Sequence, residues 1–171
     1  MRTSSRAGES IFNLTSVWHS EEGKAIQLEA LKGKVLVVVM IYTTCTVACP
    51  RLVADMKALH EKVARQKEDD VQYVLVSIDP THDTPEKLKE FAISKEMDGP
   101  EWTFLQGDTE SVREFANVLS VKFKKTSPME FSHSNIISVF SPDGVLVHQQ
   151  EGVDVDNKET VEAVLSAGGE Q

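Results

Sequence analysis

The sequence predicts an α/β domain: a central mixed sheet flanked by helices. Three observations predict it. VLVVVMIY (Val35–Tyr42) and VQYVLVSI (Val71–Ile78) are short apolar runs rich in β-branched residues, the pattern of parallel strands buried on both faces. Between them Leu52, Met56, Leu59 and Val63 recur at helical spacing, which makes a strand–helix–strand unit. Late in the chain, Asn135–Phe140 and Val145–Gln149 flank SPDG, a hairpin turn with Pro second and Gly fourth.

The remaining elements follow in order. Ser10–Val17 and Lys24–Leu28 alternate weakly around EEG and predict a short hairpin. LKGK (Leu31–Lys34) is a turn, and KEDD (Lys67–Asp70) closes the first helix. Thr84 suits an N-cap and Pro85 the first helical position, ahead of Leu88, Phe91 and Ala92. WTFL is a short strand. Thr109 is expected to cap a helix bearing Val112, Phe115, Ala116 and Leu119, and Val161, Val164 and Leu165 mark a closing helix. Repeats, linkers and low-complexity tracts are absent from the sequence. The expected organisation is a flexible segment over residues 1–9 and one domain over residues 10–167. The order of elements is that of a thioredoxin-like fold with an N-terminal hairpin extension and a helix–strand–helix insert in the middle.

That topology makes a prediction about place. A right-handed crossover leaves the first two buried strands parallel. The loops after them, Thr43–Cys49 and Asp79–Thr84, then leave the sheet at one edge, where ligands bind in open α/β sheets. The strand from Asn135 runs antiparallel, so its beginning lies at that edge too.

Composition excludes several classes. The chain has 171 residues, a size suited to a single core, with a formal net charge of −9 that disfavours a nucleic-acid partner. No apolar run approaches the length of a membrane span. The opening MRTSSRAGES lacks the apolar core of a signal peptide. That leaves a cytosolic protein, or one whose targeting segment lies outside this chain.

The two cysteines, Cys45 and Cys49, both fall in TTCTVACPRL, too few for a disulfide scaffold. Pro50 belongs in the first turn of the following helix, which places Cys49 near its N-terminus, where dipole and free amides favour a thiolate. The pair can serve as a disulfide, a redox couple or two ligands for a soft ion such as Cu(I). Inert buried thiols are the bland alternative, disfavoured by the pair's position on the functional edge.

A metal reading needs a further ligand from the five histidines. His19 is in the first hairpin, far along the sheet. His60 borders the apolar stripe of the first helix, and His148 is expected on an exposed strand. His82 and His133 occupy the two loops that converge on the cysteines. His133 in FSHSN is favoured, because it reaches the site from a strand end and not from a turn. Asp83 reads as a turn and cap residue. Asp79 reads either as a turn residue or as a group near the site, tuning thiolate charge or contacting a partner.

YTTCTVACP, VSIDPTHDTPEKLKEFA and FSHSN, in this order and spacing, resemble the SCO/SenC family of copper chaperones, as do LKGKVLVVVMIY and ISVFSPDG. The resemblance spans about Ile11 to Leu165. It implies a thioredoxin-like fold in which Cys45, Cys49 and His133 hold copper, as Cu(I) and in some states Cu(II). It implies a metallochaperone, with a thiol–disulfide reductase activity of the Cys45/Cys49 pair as a further role. The implied partner is the copper-carrying subunit of cytochrome c oxidase, or another copper protein, met as a monomer in the periplasm or another space outside the cytoplasm. Membrane contact is implied only through an anchor outside this chain. The sequence departs from the family pattern at Thr46, where Pro often follows the first cysteine, at Met40 and Ile41, where an aromatic–glycine pair is common, and at Ser132, where Asp often precedes the histidine.

A thiol–disulfide oxidoreductase or redox sensor working without metal is the alternative. Thioredoxin-type catalysts usually carry CxxC and not CxxxC. A peroxiredoxin would want Pro seven residues before its reactive cysteine, where this chain has Val38 or Tyr42.

Overall fold

The computed structural model describes residues 10–43, 48–65, 70–121, 123–127, 130–133, 135–152 and 156–169. Its elements in chain order are β1 (Val17–Ser20), β2 (Ala25–Gln27), β3 (Val35–Ile41), α1 (Ala48–Arg65), β4 (Val71–Ser77), α2 (Pro85–Ser94), β5 (Trp102–Gln106), α3 (Thr109–Leu119), β6 (Phe123–Ser127), β7 (Glu130–His133), β8 (Ile136–Phe140), β9 (Leu146–Glu151) and α4 (Lys158–Gly169). Short 3₁₀ turns occupy Ile11–Asn13 and Leu28–Leu31.

Seven strands form one mixed sheet in the order β2-β1-β5-β4-β3-β8-β9. β3, β4 and β5 are parallel, and β8 runs antiparallel to β3 with Val39 opposite Ile137. Every residue of β3 and β4 is buried, as their unbroken apolar runs require of strands covered on both faces. α1 turns Leu52, Met56, Leu59 and Val63 inward, each at most 1% exposed. α4 packs on α1, β3, β8 and β9, and α2 packs on β5. Trp18 of β1 is fully buried and meets Phe115 of α3 edge-on at 5.8 Å. The fold is the thioredoxin-like α/β arrangement expected, with the N-terminal hairpin added beside β5.

The SPDG turn forms as its residues predict. Ser141 N–H donates to Val145 O at 2.9 Å, Gly144 N–H donates to Ser141 O at 2.8 Å, and Gly144 has φ +83°. A Cβ at Gly144 would also lie 2.5 Å from Ser10 Oγ and 2.7 Å from the Phe12 ring, so glycine is required twice over.

Four expectations need correction. The first strand is Val17–Ser20 and not Ser10–Val17, because Ile11 enters a 3₁₀ turn whose N–H bonds to Gly144 O. The α3 cap is Asp108, whose side chain accepts from Ser111 N–H, and Thr109 is the first helical residue. β6 and β7, a separate two-stranded sheet, fall where no strand is predicted. His148 is half-buried, its Nε2 within 3.1 Å of Thr160 Oγ1 on α4, and is not an exposed strand residue. The expected flexible segment 1–9, and most of the KEDD stop, lie outside the described residues.

Candidate metal centre

β3 and β4 end level with one another, Ile41 opposite Ser77, and Ile78 N–H extends the ladder to Ile41 O at 2.8 Å. The chain after β3 passes through Tyr42 and Thr43, and α1 begins at Ala48. The chain after β4 forms the Asp79–Thr84 loop. β8 begins at Ile136 beside the same ends of the strands. The three segments named by the sequence therefore share one edge of the sheet.

The loop after β4 is built around two buried carboxylates. Asp83 is fully buried, and its carboxylate accepts from Thr43 N–H (3.1 Å), Thr43 Oγ1 (2.5 Å) and Ser77 Oγ (2.8 Å). Ser77 Oγ in turn accepts from Asp79 N–H at 2.9 Å, and Asp83 N–H closes the loop on Asp79 O at 2.9 Å. Asp83 thus fastens the first residues of the cysteine loop to the end of β4. This corrects its reading as a cap, for Thr84 caps α2 by accepting from Lys87 N–H. Gln106 Nε2, at the end of β5, donates to Pro80 O at 3.1 Å and holds the loop from its other side. Asp79 is 2% exposed and faces His82, whose Nδ1 lies 2.9 and 3.1 Å from its two carboxylate oxygens.

The predicted ligands fall as follows. Cys49 is the second residue of α1, and Pro50 is in its first turn as expected. Cys45 lies outside the described residues. His133 is the last residue of β7, paired with Phe123, three residues before Ile136 of β8. Among the described residues no group of three or more His, Cys, Asp and Glu side chains is placed to hold a metal. Two other histidines are removed from this edge. His19 is in β1, beyond β4 and β5 from β3. His60 packs its ring on Tyr73 and Trp102, near the starts of β4 and β5, and pairs with Glu101 at 3.0 Å.

Sequence reasoning missed the Asp83–Thr43–Ser77 connection. Its partners are 40 and 6 residues apart, so neither helical nor strand periodicity carries it. The buried Asp in SIDPTHD was a signal that something must satisfy it.

With this edge described, comparison with known proteins decides the family. The SCO1/SenC profile matches residues 5–167. The chain belongs to the SCO1/SenC family. It is 31% identical over 140 residues to a SCO1 protein homolog of Bacillus subtilis strain 168, covering 80% of this chain and 72% of that one. It is 29% identical over 122 residues to a Stutzerimonas stutzeri protein provisionally named as copper-binding, covering 69% of this chain and 58% of that one. Among solved structures, BsSco, described as a member of the Sco family of cytochrome c oxidase assembly proteins with a disulfide switch, superposes with a TM-score of 0.79 at 29% identity, covering 91% of this chain and 92% of that chain. The SCO1/SenC assignment accounts for the sheet order and for the loops gathered at one edge.

Proposed function

We propose that this chain is a copper chaperone that carries Cu(I) on Cys45, Cys49 and His133 and serves the dinuclear copper centre of cytochrome c oxidase. The observation that carries the reading is the meeting of three segments at one sheet edge. The CxxxC stretch links β3 to α1, and His133 precedes β8, the neighbour of β3. Three residues of chain reach at most about 10 Å, and neighbouring strands lie about 4.8 Å apart, so the two segments are within reach of one ion.

The donor set suits the cargo. Two thiolates and one imidazole match a soft monovalent copper ion. Cys49 in the first turn of α1 sits where amides and dipole stabilise a thiolate. An edge site leaves the ion open to a partner, as transfer requires. Family membership, the copper-binding name of the Stutzerimonas relative and the oxidase-assembly role stated for BsSco all support the assignment.

The same thiols suit a reductive role. Cys45 and Cys49 become a disulfide as a disulfide of the partner becomes two thiols, so electrons and protons balance without another reagent. The chaperone acts outside the cytoplasm in this reading, where the copper subunit of a terminal oxidase is assembled.

The test is a cell lacking the gene, grown at low copper and assayed for oxidase activity. The parent chain restores activity, whereas Cys45→Ser and His133→Ala do not. Equal rescue by His133→Ala points to a purely thiol role. Full oxidase activity without the gene removes the chaperone reading.

A further inference from the structure

The Asp79–Thr84 loop holds an imidazole that a three-ligand site does not use. His82 adjoins Asp83, whose carboxylate grips Thr43 at the entrance to the cysteine loop. Cys45 follows two residues after Thr43, about 7 Å of extended chain. His82 is therefore a neighbour of the proposed copper site by construction of the fold.

Its surroundings are those of a ligand. Nδ1 of His82 lies against both oxygens of the Asp79 carboxylate, and Asp79 is 2% exposed. The Asp79 backbone is held in turn by Ser77 and Asp83. A carboxylate only accepts, so the neutral imidazole carries its proton on Nδ1 and its lone pair on Nε2. Among the described residues Nε2 has no hydrogen-bond partner, and the side chain is 30% exposed. A buried carboxylate that fixes the tautomer and orientation of a ring, and raises its basicity, is the usual outer support of a metal-binding histidine. His60 offers the contrast. Its carboxylate partner, Glu101, is on Nε2, and its ring is packed on Tyr73 and Trp102, an arrangement that serves packing.

We propose that His82 supplies a second imidazole to copper at the cysteine loop, completing a four-donor set when the ion is Cu(II). The inference rests on the copper reading above. Three soft donors satisfy Cu(I), but Cu(II) takes a tetragonal set in which nitrogen is a preferred donor. Cys45, Cys49, His133 and His82 supply that set, with Asp79 as the positioning residue for His82. No electron moves in this step, since the ion enters as Cu(II).

The experiment adds Cu(II) sulfate to the reduced protein, freezes it within seconds and counts bound imidazoles by pulsed electron paramagnetic resonance. The parent is expected to show two imidazoles, and His82→Gln and His133→Gln one each. Asp79→Asn should alter the remote-nitrogen quadrupole coupling of one imidazole and weaken Cu(II) binding about tenfold or more. A structural role for the pair would move neither quantity, and circular dichroism of each variant checks that it folds. One imidazole in the parent, retained in His82→Gln, overturns the inference. So does the absence of a Cu(II) signal from a parent that still takes up Cu(I), which leaves the chaperone reading standing. Failure to take up either ion overturns both.

Discussion

Replacing Asp83 by alanine should release the cysteine loop from the end of β4 and destabilise the whole domain. The carboxylate is fully buried and accepts three hydrogen bonds, two from Thr43 and one from Ser77. Hydrogen bonds to a charged acceptor contribute about 1.5–3 kcal/mol each, and buried donors left without partners add to the loss. The three share one acceptor group and are not additive. Thr43 is only partly buried and can turn its hydroxyl to water, whereas Ser77 is fully buried and cannot. The expected loss is about 3–5 kcal/mol, a large part of the stability of an ordinary domain. For a chain of this size it lowers the melting temperature by roughly 6–20 °C. Asp83→Asn keeps the volume and one acceptor oxygen, so it should lose about 1–2 kcal/mol. Urea unfolding of parent and variants measures both values. An Asp83→Ala protein within about 1 kcal/mol of the parent would refute the role assigned to this carboxylate.

Two further predictions follow from helix ends. Cys49, in the first turn of α1, should have a lower thiol pKa than Cys45, measured as alkylation rate against pH in the two single-cysteine variants; a lower value for Cys45 contradicts the placement. Asp108 caps α3, and hydrogen bonds from Ser111 hold its carboxyl below its ordinary value of 3.8. A depressed carboxyl contributes stability above its unfolded pKa and loses it as pH falls through the folded value. The advantage of the parent over Asp108→Asn should therefore be constant near neutrality and shrink as pH drops below 3.8, and an advantage that grows with acid would contradict the cap assignment.

Much of the architecture is legible because single residues carry strong local signals. The β-branched runs of β3 and β4 have one home, a sheet covered on both faces. Thr84–Pro85 starts α2 and SPDG turns β8 into β9, as local chemistry dictates. β6 and β7 were not legible, because FKKTS and EFSH are short, polar and without regular alternation. β1 was displaced because Ile11 and Phe12 look like strand residues but pack beside Gly144, a contact across more than 130 residues. At the metal edge the ligand types and their convergence could be read from motif and topology. The Asp83 tie and the Asp79–His82 pair could not, because they depend on which way buried side chains turn at the end of β4.

The central claim is that Cys45, Cys49 and His133 together hold one Cu(I) ion, and an anaerobic Cu(I) titration of the reduced chain against a competing chromophoric chelator tests it most directly. The parent should bind about one equivalent, as expected of two thiolates and an imidazole. Cys45→Ser and Cys49→Ser should abolish tight binding, and His133→Ala should weaken it. A larger loss in His82→Ala than in His133→Ala would mean that the wrong histidine was assigned to Cu(I). Binding unchanged in every variant would contradict the site itself.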